Sequence, residues 1–567
     1  MTPGTRKGRS APLRPPWAEL PILLLVIGIG VLRITDTYHS LSQTIDEPAH
    51  LASGLQWLDT GEYTYNRMHP PLARSFAALG PFLDGVRSLK RPHPITAGND
   101  ELHSRGDYWR TLILARLGIL PFFLLGVLVT WSLTRALFGS VPALVAAAAF
   151  TLLPPVLAHG ALATTDMAVT AMMPVVLLAG MRWLDEPDRD ATVVLGVACG
   201  VAVLLKFSVL VFIPACLLAM LAAKLVIEPG SSATKLDRCR RVEFPILGVM
   251  AVAFVVVWAG YRFSVGSLDS LEMGGLVSPR LARLPILPAP EFWHGLVILT
   301  VYRDGNLPSY ALGEVTLGGR WYFFPLALAV KTPMAFIPVA LLGVVVSVQQ
   351  AWKHRLWYLA APVACALAML GSVMISKMAF GSRHILPIYP LLSAVAGVGA
   401  LTLWYLDRRR IGRAIVGLLG AWLLVASLRA HPDYLSDFNE IAAGRPEYFL
   451  VNSDLDWGQD IGRLGDTLRA RGIDSVTAYL AGFHDLRVLG PIKHVNRQVW
   501  FPVAHPATGW VAVSAFSLYQ IPRIAWLEGL RPVTRVGTSI YLYYIRPSPG
   551  NPSDSVSAPA PRRAGGQ

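Results

Sequence analysis

Asp46 and Glu47 stand side by side just past the first apolar segment, and His69-Pro70-Pro71-Leu72 follows about twenty residues later. Ionisable groups at a membrane boundary are expensive and usually line a cavity or a reaction site. An adjacent acid pair suits general-base work, one carboxylate taking the proton of an acceptor hydroxyl while its neighbour orients it or binds the acceptor. The same pair would also serve a helix N-terminus, where acidic side chains meet the macrodipole. His50 lies one turn after Asp46, which leaves a carboxylate–imidazole metal pair open. Asp166, in HGALATTDMAVT, is a third acid at a span end, and Thr164-Thr165-Asp166 would equally make a helix cap. Cations near span ends are Lys206, Lys331, Lys377, Arg383 and His384. A leaving phosphate needs such charge around it; snorkelling to headgroups is the alternative use.

The elements that must position these groups are apolar. Of 567 residues, 53% are hydrophobic and only 15% charged, where a soluble domain is nearer a quarter charged. Apolar runs long enough to cross ~30 Å of hydrocarbon are expected at 17–34, 111–134, 140–158, 166–184, 191–205, 207–226, 244–262, 322–348, 356–376, 385–406 and 412–428, about eleven spans. No small-x-small cleavage site follows the first run, so it reads as a retained span. Lys206 is the one charge inside 191–226, which predicts two helices turning there. The net charge of +14 sits in short loops rather than on one face; that argues for topology determinants and against nucleic acid as a partner. Arg6, Lys7, Arg9 and Arg14, then Arg135, Arg182, Arg189, Lys235–Arg241, Lys353, Arg355 and Arg408–Arg413 all fall on one side. The positive-inside rule makes that side cytoplasmic and puts the acid pair and the loops 36–110 and 263–321 outside. Cys199, Cys216, Cys239 and Cys365 show no metal-ligand spacing.

In the first outer loop, Leu51, Leu55 and Leu58, then Leu72, Phe76 and Leu79, predict amphipathic helices lying in the interface, the second started by Pro70-Pro71. From about 430 the apolar segments shorten. Strands are expected at 448–451, 476–480, 511–515 and 540–545, with a helix at 461–471, hence a small α/β domain over 429–547. Asp454, Asp456 and Asp460 lack the glycine and terminal glutamate of a calcium loop and read as turns and caps. The ends, 1–16 and 548–567, are basic or low-complexity and are expected to be disordered.

IDEPAH followed by MHPPLAR resembles the first external loop of the protein O-mannosyltransferases and their bacterial relatives, GT-C superfamily enzymes that take a sugar from a polyprenyl-phosphate carrier. YALGEVTLGGRWYFFPLALAVKTP (310–333), GSRHILPIYP (381–390), HPDYLSDFNEIAAG and YFLVNSDLDWGQD resemble the bacterial branch, which includes aminoarabinose lipid A transferases. The resemblance implies a polytopic α-helical GT-C transmembrane domain over 17–428 with an outer soluble domain. It implies Asp46 as catalytic base or acceptor-binding acid with Glu47 beside it, and places His69 and Asp166 in the same cavity. Lys206, Lys331, Arg383 and His384 are the expected phosphate ligands. No repeat domain of the eukaryotic enzymes is present, so the acceptor stays open among protein, lipid and glycan.

The expected activity is inverting transfer of a sugar from a polyprenyl-phosphate donor to a hydroxyl at the outer face of a bacterial inner membrane. A related glycan ligase and a lipid-linked-sugar flippase are the alternatives. No metal or cofactor is required by this reading, though a divalent cation is left open.

Overall fold

The computed structural model describes residues 16–267, 286–304, 307–406, 408–480, 485–492, 494–497, 507–519, 525–527 and 529–546. The expected disordered ends lie outside them, apart from Pro16. Two compact units divide the chain, Met1–Trp457 and Gly458–Gln567.

Among the described residues of the first unit, eight helices are long and apolar enough to cross a membrane. A ninth span results if Ser140–Leu152 and Pro154–Gly160, bent by 67° to each other, are one. Every expected span has a helix. The count falls below eleven because Arg189–Leu205 has only 17 residues and Ala361–Met374 only 14. The bend falls at Pro154-Pro155, where two backbone donors are missing. Helix Arg189–Leu205 stops before Lys206, and the next begins at Val209, as the lone lysine predicts.

The expected span 322–348 is instead broken into Phe323–Lys331 and Phe336–His354. Pro333 forbids a continuous ladder and biases Thr332 toward an extended conformation. The carbonyls freed at the break are answered from a distant segment: Asn439 Nδ2 donates to Ala329 O at 2.6 Å and Thr332 O at 2.8 Å, and Asn439 N donates to Val330 O at 2.9 Å.

This bracing moves the domain boundary. Residues 429–457 belong to the first unit, burying Tyr434, Leu435, Phe438 and Leu455 there, so the second unit begins at 458 rather than near 429. The expected strand at 448–451 is a helical turn, Pro446–Phe449, followed by extended Leu450.

The first outer loop holds helices Glu47–Asp59, Pro71–Leu83 and Pro94–His103. The first is buried along its whole length from Glu47 to Trp57, so it is the core of the loop and not a helix resting on lipid. An apolar edge is exposed only on the second, at Leu79 and Leu83. Glycine permits the packing: a Cβ on Gly54 would lie 2.2 Å from Arg74 O, and one on Gly98 1.9 Å from Pro48 O.

The second unit is a five-stranded mixed sheet in the order 494–497, 475–479, 509–514, 540–545, 534–536. The first three strands run parallel and the last two pair antiparallel. Helix Ile461–Ala470 lays Ile461, Leu464 and Leu468 on the core made by Val476, Ala478, Ala512 and Leu542.

Candidate functional site

Asp46 immediately precedes helix Glu47–Asp59 but makes no side-chain cap bond. Its carboxylate instead receives Arg383 Nη1 at 2.5 Å. The two residues are 337 positions apart, so this contact is tertiary. Asp46 keeps 34% of its side chain open, against 15% for Arg383. Burial raises the Asp46 carboxyl, and the Arg383 guanidinium with His50 more than offsets it, holding the group below the usual carboxylate range. Arg383 also lies over the Trp457 ring, 4.4 Å from its centroid.

A second acid–cation pair stands beside the first. Asp166 opens helix Asp166–Asp185, is buried, and accepts from Lys206 Nζ at 2.5 Å. Arg383 and His159 also act on Asp166 electrostatically, and Asp166 acts in turn on Asp46. Four elements thus bring Asp46, Asp166, Lys206 and Arg383 together.

Glu47 is different. Its Oε1 accepts from Arg116 Nε and Ala163 N, both at 2.9 Å; its Oε2 accepts from Arg116 Nη2 at 3.0 Å and Thr44 N at 2.7 Å. Arg116 spends further donors on Leu41 O and Ser42 O. Both side chains are 1% exposed. With both oxygens engaged, Glu47 ties the 41–47 loop to the 163 turn and so positions its neighbour.

His69 stands edge-on to His50, with ring centroids 5.2 Å apart. Lys206 and Asp166 lie within its electrostatic reach, and burial pushes it well below the usual imidazole range. His384 is half-buried, edge-on to Phe324, and is within reach of Lys206, Arg383 and Asp166. Polar atoms sealed from solvent and without partners gather around these groups: His69 Nδ1, His384 Nε2, Arg383 Nε, Thr164 Oγ1 and Thr165 Oγ1. Such orphans are rare in a finished interior and mark a place where a polar ligand or water completes the bonding.

Lys331 is withdrawn from phosphate duty. Its ammonium donates to three backbone carbonyls, Leu435 O at 2.8 Å, Asp437 O at 2.6 Å and Asp454 O at 2.9 Å. Those are all three of its donors. Lys377 is exposed and belongs to no such cluster. Asp454 accepts from Ser382 N at 2.9 Å and Ser382 Oγ at 2.5 Å, fixing the residue next to Arg383, so it braces a turn as the sequence suggests.

Residues not foreseen as site groups are His159, Arg74, Arg116 and Trp457. His159 sits past the Pro154-Pro155 bend and meets Trp457 edge-on at 6.3 Å. A histidine in an otherwise apolar span was the signal available for it; the Arg116–Glu47 pairing, 69 residues apart, left none.

Among the described residues no group of three or more His, Cys, Asp or Glu side chains is placed to share a metal ion. Asp46 and Asp166 are each matched by a cation, and His50 Nδ1 accepts from Arg74. Those side chains are engaged by cationic partners here.

Residues 114–261 match the family described as dolichyl-phosphate-mannose-protein mannosyltransferase. No curated protein matches the chain. Among solved structures, the chain is similar to ArnT from Cupriavidus metallidurans bound to undecaprenyl phosphate, with 15% identity, 92% of this chain and 97% of that chain covered, and a TM-score of 0.47. The same protein in the apo state gives 16% identity, 93% and 98% coverage and a TM-score of 0.46. The apo Archaeoglobus fulgidus oligosaccharyltransferase gives 14% identity, 90% and 72% coverage and a TM-score of 0.44. The resemblance read from the outer-loop motifs therefore extends, over residues 114–261, to a sequence match with the dolichyl-phosphate-mannose-protein mannosyltransferases.

Proposed function

We propose that this chain is a membrane glycosyltransferase that moves a sugar from a polyprenyl-phosphate carrier to an acceptor hydroxyl, with inversion at the anomeric carbon. The observation that carries the reading is the double acid–cation cluster, Asp46 with Arg383 and Asp166 with Lys206, ringed by orphaned polar atoms. The cluster lies at helix ends opposite those that carry basic residues. Asp166 starts the helix that ends near Arg182, and Lys206 follows the helix that starts at Arg189. By the positive-inside rule this supports a reading in which the site faces outward from a bacterial inner membrane and the N-terminus is cytoplasmic. The family match over 114–261 favours a lipid-linked sugar as donor.

In the resting site each carboxylate neutralises a cation. A donor phosphate draws Arg383 and Lys206 toward its own oxygens, with His69 and His384 at hand as further donors. Asp46, released from Arg383, becomes a stronger base and takes the acceptor proton. The acceptor oxygen bonds to the anomeric carbon as the carbon–oxygen bond to phosphate breaks, and polyprenyl phosphate leaves with the electron pair. Asp166 holds Lys206 at the phosphate. A positioned general base contributes ~10²–10⁴-fold; stabilising the departing phosphate supplies the larger electrostatic share.

Liposomes carrying the full chain and a panel of labelled polyprenyl-phosphate sugars test this. Release of polyprenyl phosphate with sugar on a hydroxyl acceptor is the expected result. Passage of the intact labelled lipid across the bilayer without release would replace it with the flippase reading.

A further inference from the structure

Arg74 is a guanidinium buried to 1% exposure to which, among the described residues, no carboxylate is bonded. Its Nη1 donates to Tyr63 OH at 3.1 Å and Asn66 O at 2.8 Å, and its Nε donates to His50 Nδ1 at 3.0 Å. A buried charge without a counter-ion is costly and is retained for a reason. Its bond to His50 suggests one.

A guanidinium has no acceptor, so His50 Nδ1 must be the acceptor and the ring proton must sit on Nε2. His50 lies one helical turn beyond Asp46, its backbone N donating to Asp46 O at 3.1 Å. Among the described residues no group takes Nε2 in a hydrogen bond, and unlike Nδ1 of His69 and His159 it is not sealed from solvent. The groups facing His50 are Arg74 on helix Pro71–Leu83, Asp46 on its own helix, Asp166, Arg383 and the His69 ring.

We propose that Arg74 and His50 form an acceptor-positioning pair: the guanidinium locks the imidazole as its Nε2–H tautomer, and that N–H holds the acceptor oxygen beside Asp46. The inference rests on the glycosyltransferase reading. One lone pair of the acceptor oxygen accepts from His50 while its own proton goes to Asp46; the other lone pair attacks the anomeric carbon, and the phosphate departs with the bonding electrons. His50 keeps its proton throughout. Arg74 touches no substrate and acts through His50. Burial first, and the guanidinium second, push His50 down to about 3 against the pull of Asp46 and Asp166. The imidazole therefore stays neutral in the working range, and it does not compete with Arg383 or Lys206 for phosphate.

The test has two arms on the full chain in lipid nanodiscs. In the first, ¹⁵N-histidine NMR is recorded between roughly pH 4 and 8, with His50→Gln assigning the signal. The wild-type ring is expected to remain neutral with its proton on Nε2, Arg74→Lys to preserve this, and Arg74→Met to let His50 titrate nearer about 6.5. A wild-type His50 that titrates near about 6.5, or one that ignores Arg74→Met, overturns the pair whether or not turnover is seen. In the second arm, whichever donor of the sugar panel turns over is used with glycerol as surrogate acceptor. His50→Leu should lower kcat/KM for glycerol about 10-fold or more, while His50→Gln, which restores a neutral N–H, recovers most of it. Donor binding should be unchanged in both. Equal loss in Gln and Leu, or a wild-type glycerol response in Leu, overturns the positioning role. If no donor turns over in the wild type, the glycosyltransferase reading fails and the acceptor role fails with it, while the NMR arm still decides the tautomer lock.

Discussion

At the scale of single residues, two adjacent acids have opposite fates. Asp46 is partly open and bound to one partner, Arg383, whereas Glu47 is sealed and holds five donor contacts from Arg116, Ala163 and Thr44. Breaking a buried pair costs about 3–5 kcal/mol, so Glu47→Ala should lower the thermal midpoint sharply. Asp46→Asn keeps an amide oxygen that can accept from Arg383 in a part-open site, and should lower it less. Thermal melts of the two variants, side by side, separate chemistry from architecture; equal losses would refute the distinction. A second prediction concerns pH. Arg383 holds the Asp46 carboxyl low, so in the free enzyme Asp46 stays ionised until the pH falls below the usual carboxylate range. Removing the guanidinium with Arg383→Gln takes away the largest opposition to burial, and the acid limb of kcat/KM should move to higher pH. An unmoved limb in a variant that still turns over would mean that Asp46 is not the group titrating.

At the scale of elements, how much was legible in the sequence follows from where each contact comes from. Spans and the break at Lys206 were readable because hydrophobic runs and a lone charge are local signals. Asp46, Asp166, Lys206 and Arg383 could be nominated from their places at span ends, but their pairing could not, since 337 residues separate Asp46 from Arg383. Lys331 misled for the same reason: a lysine in an apolar run looks like a free cation until the carbonyls of 435, 437 and 454 arrive to use it. Strands 494–497 and 534–536 were missed, being short and only weakly apolar. Helix packing in the first outer loop was also invisible, because it depends on the absence of side chains at Gly54 and Gly98. That absence is testable. Gly54→Ala pushes a methyl into Arg74 O and should separate the helix of Asp46 and His50 from that of Arg74. Overpacking of this kind costs about 1–3 kcal/mol, read as a lower unfolding midpoint together with lost transfer. Retention of both would show that the two helices need not touch.

At the scale of the whole molecule, the outer loop carries a pH dependence separate from catalysis. Glu101 is fully buried on helix Pro94–His103; its Oε1 accepts from Leu89 N at 3.1 Å and its Oε2 has no partner. Burial pushes its carboxyl up to about 7, with Asp100 and Asp59 adding to the rise. A folded value above the unfolded one means that the protonated form is the stabilised form. The contribution is full below about 4.5 and is lost as pH rises through about 7. The loss is on the order of 3 kcal/mol. Glu101→Gln should flatten this slope, so that wild type and variant diverge in thermal midpoint above neutrality. Coincident midpoints across that window would show that Glu101 is ionised at no cost.

The central claim is sugar transfer at the Asp46 cluster, and one measurement addresses it most directly. Purified full-length chain is given each labelled polyprenyl-phosphate sugar with a hydroxyl acceptor, and the released polyprenyl phosphate is counted for wild type and Asp46→Asn. The account predicts release by the wild type in step with glycosylated acceptor, and loss of about 10³-fold or more in a variant that still folds. A normally folded Asp46→Asn protein that transfers at the wild-type rate would contradict it.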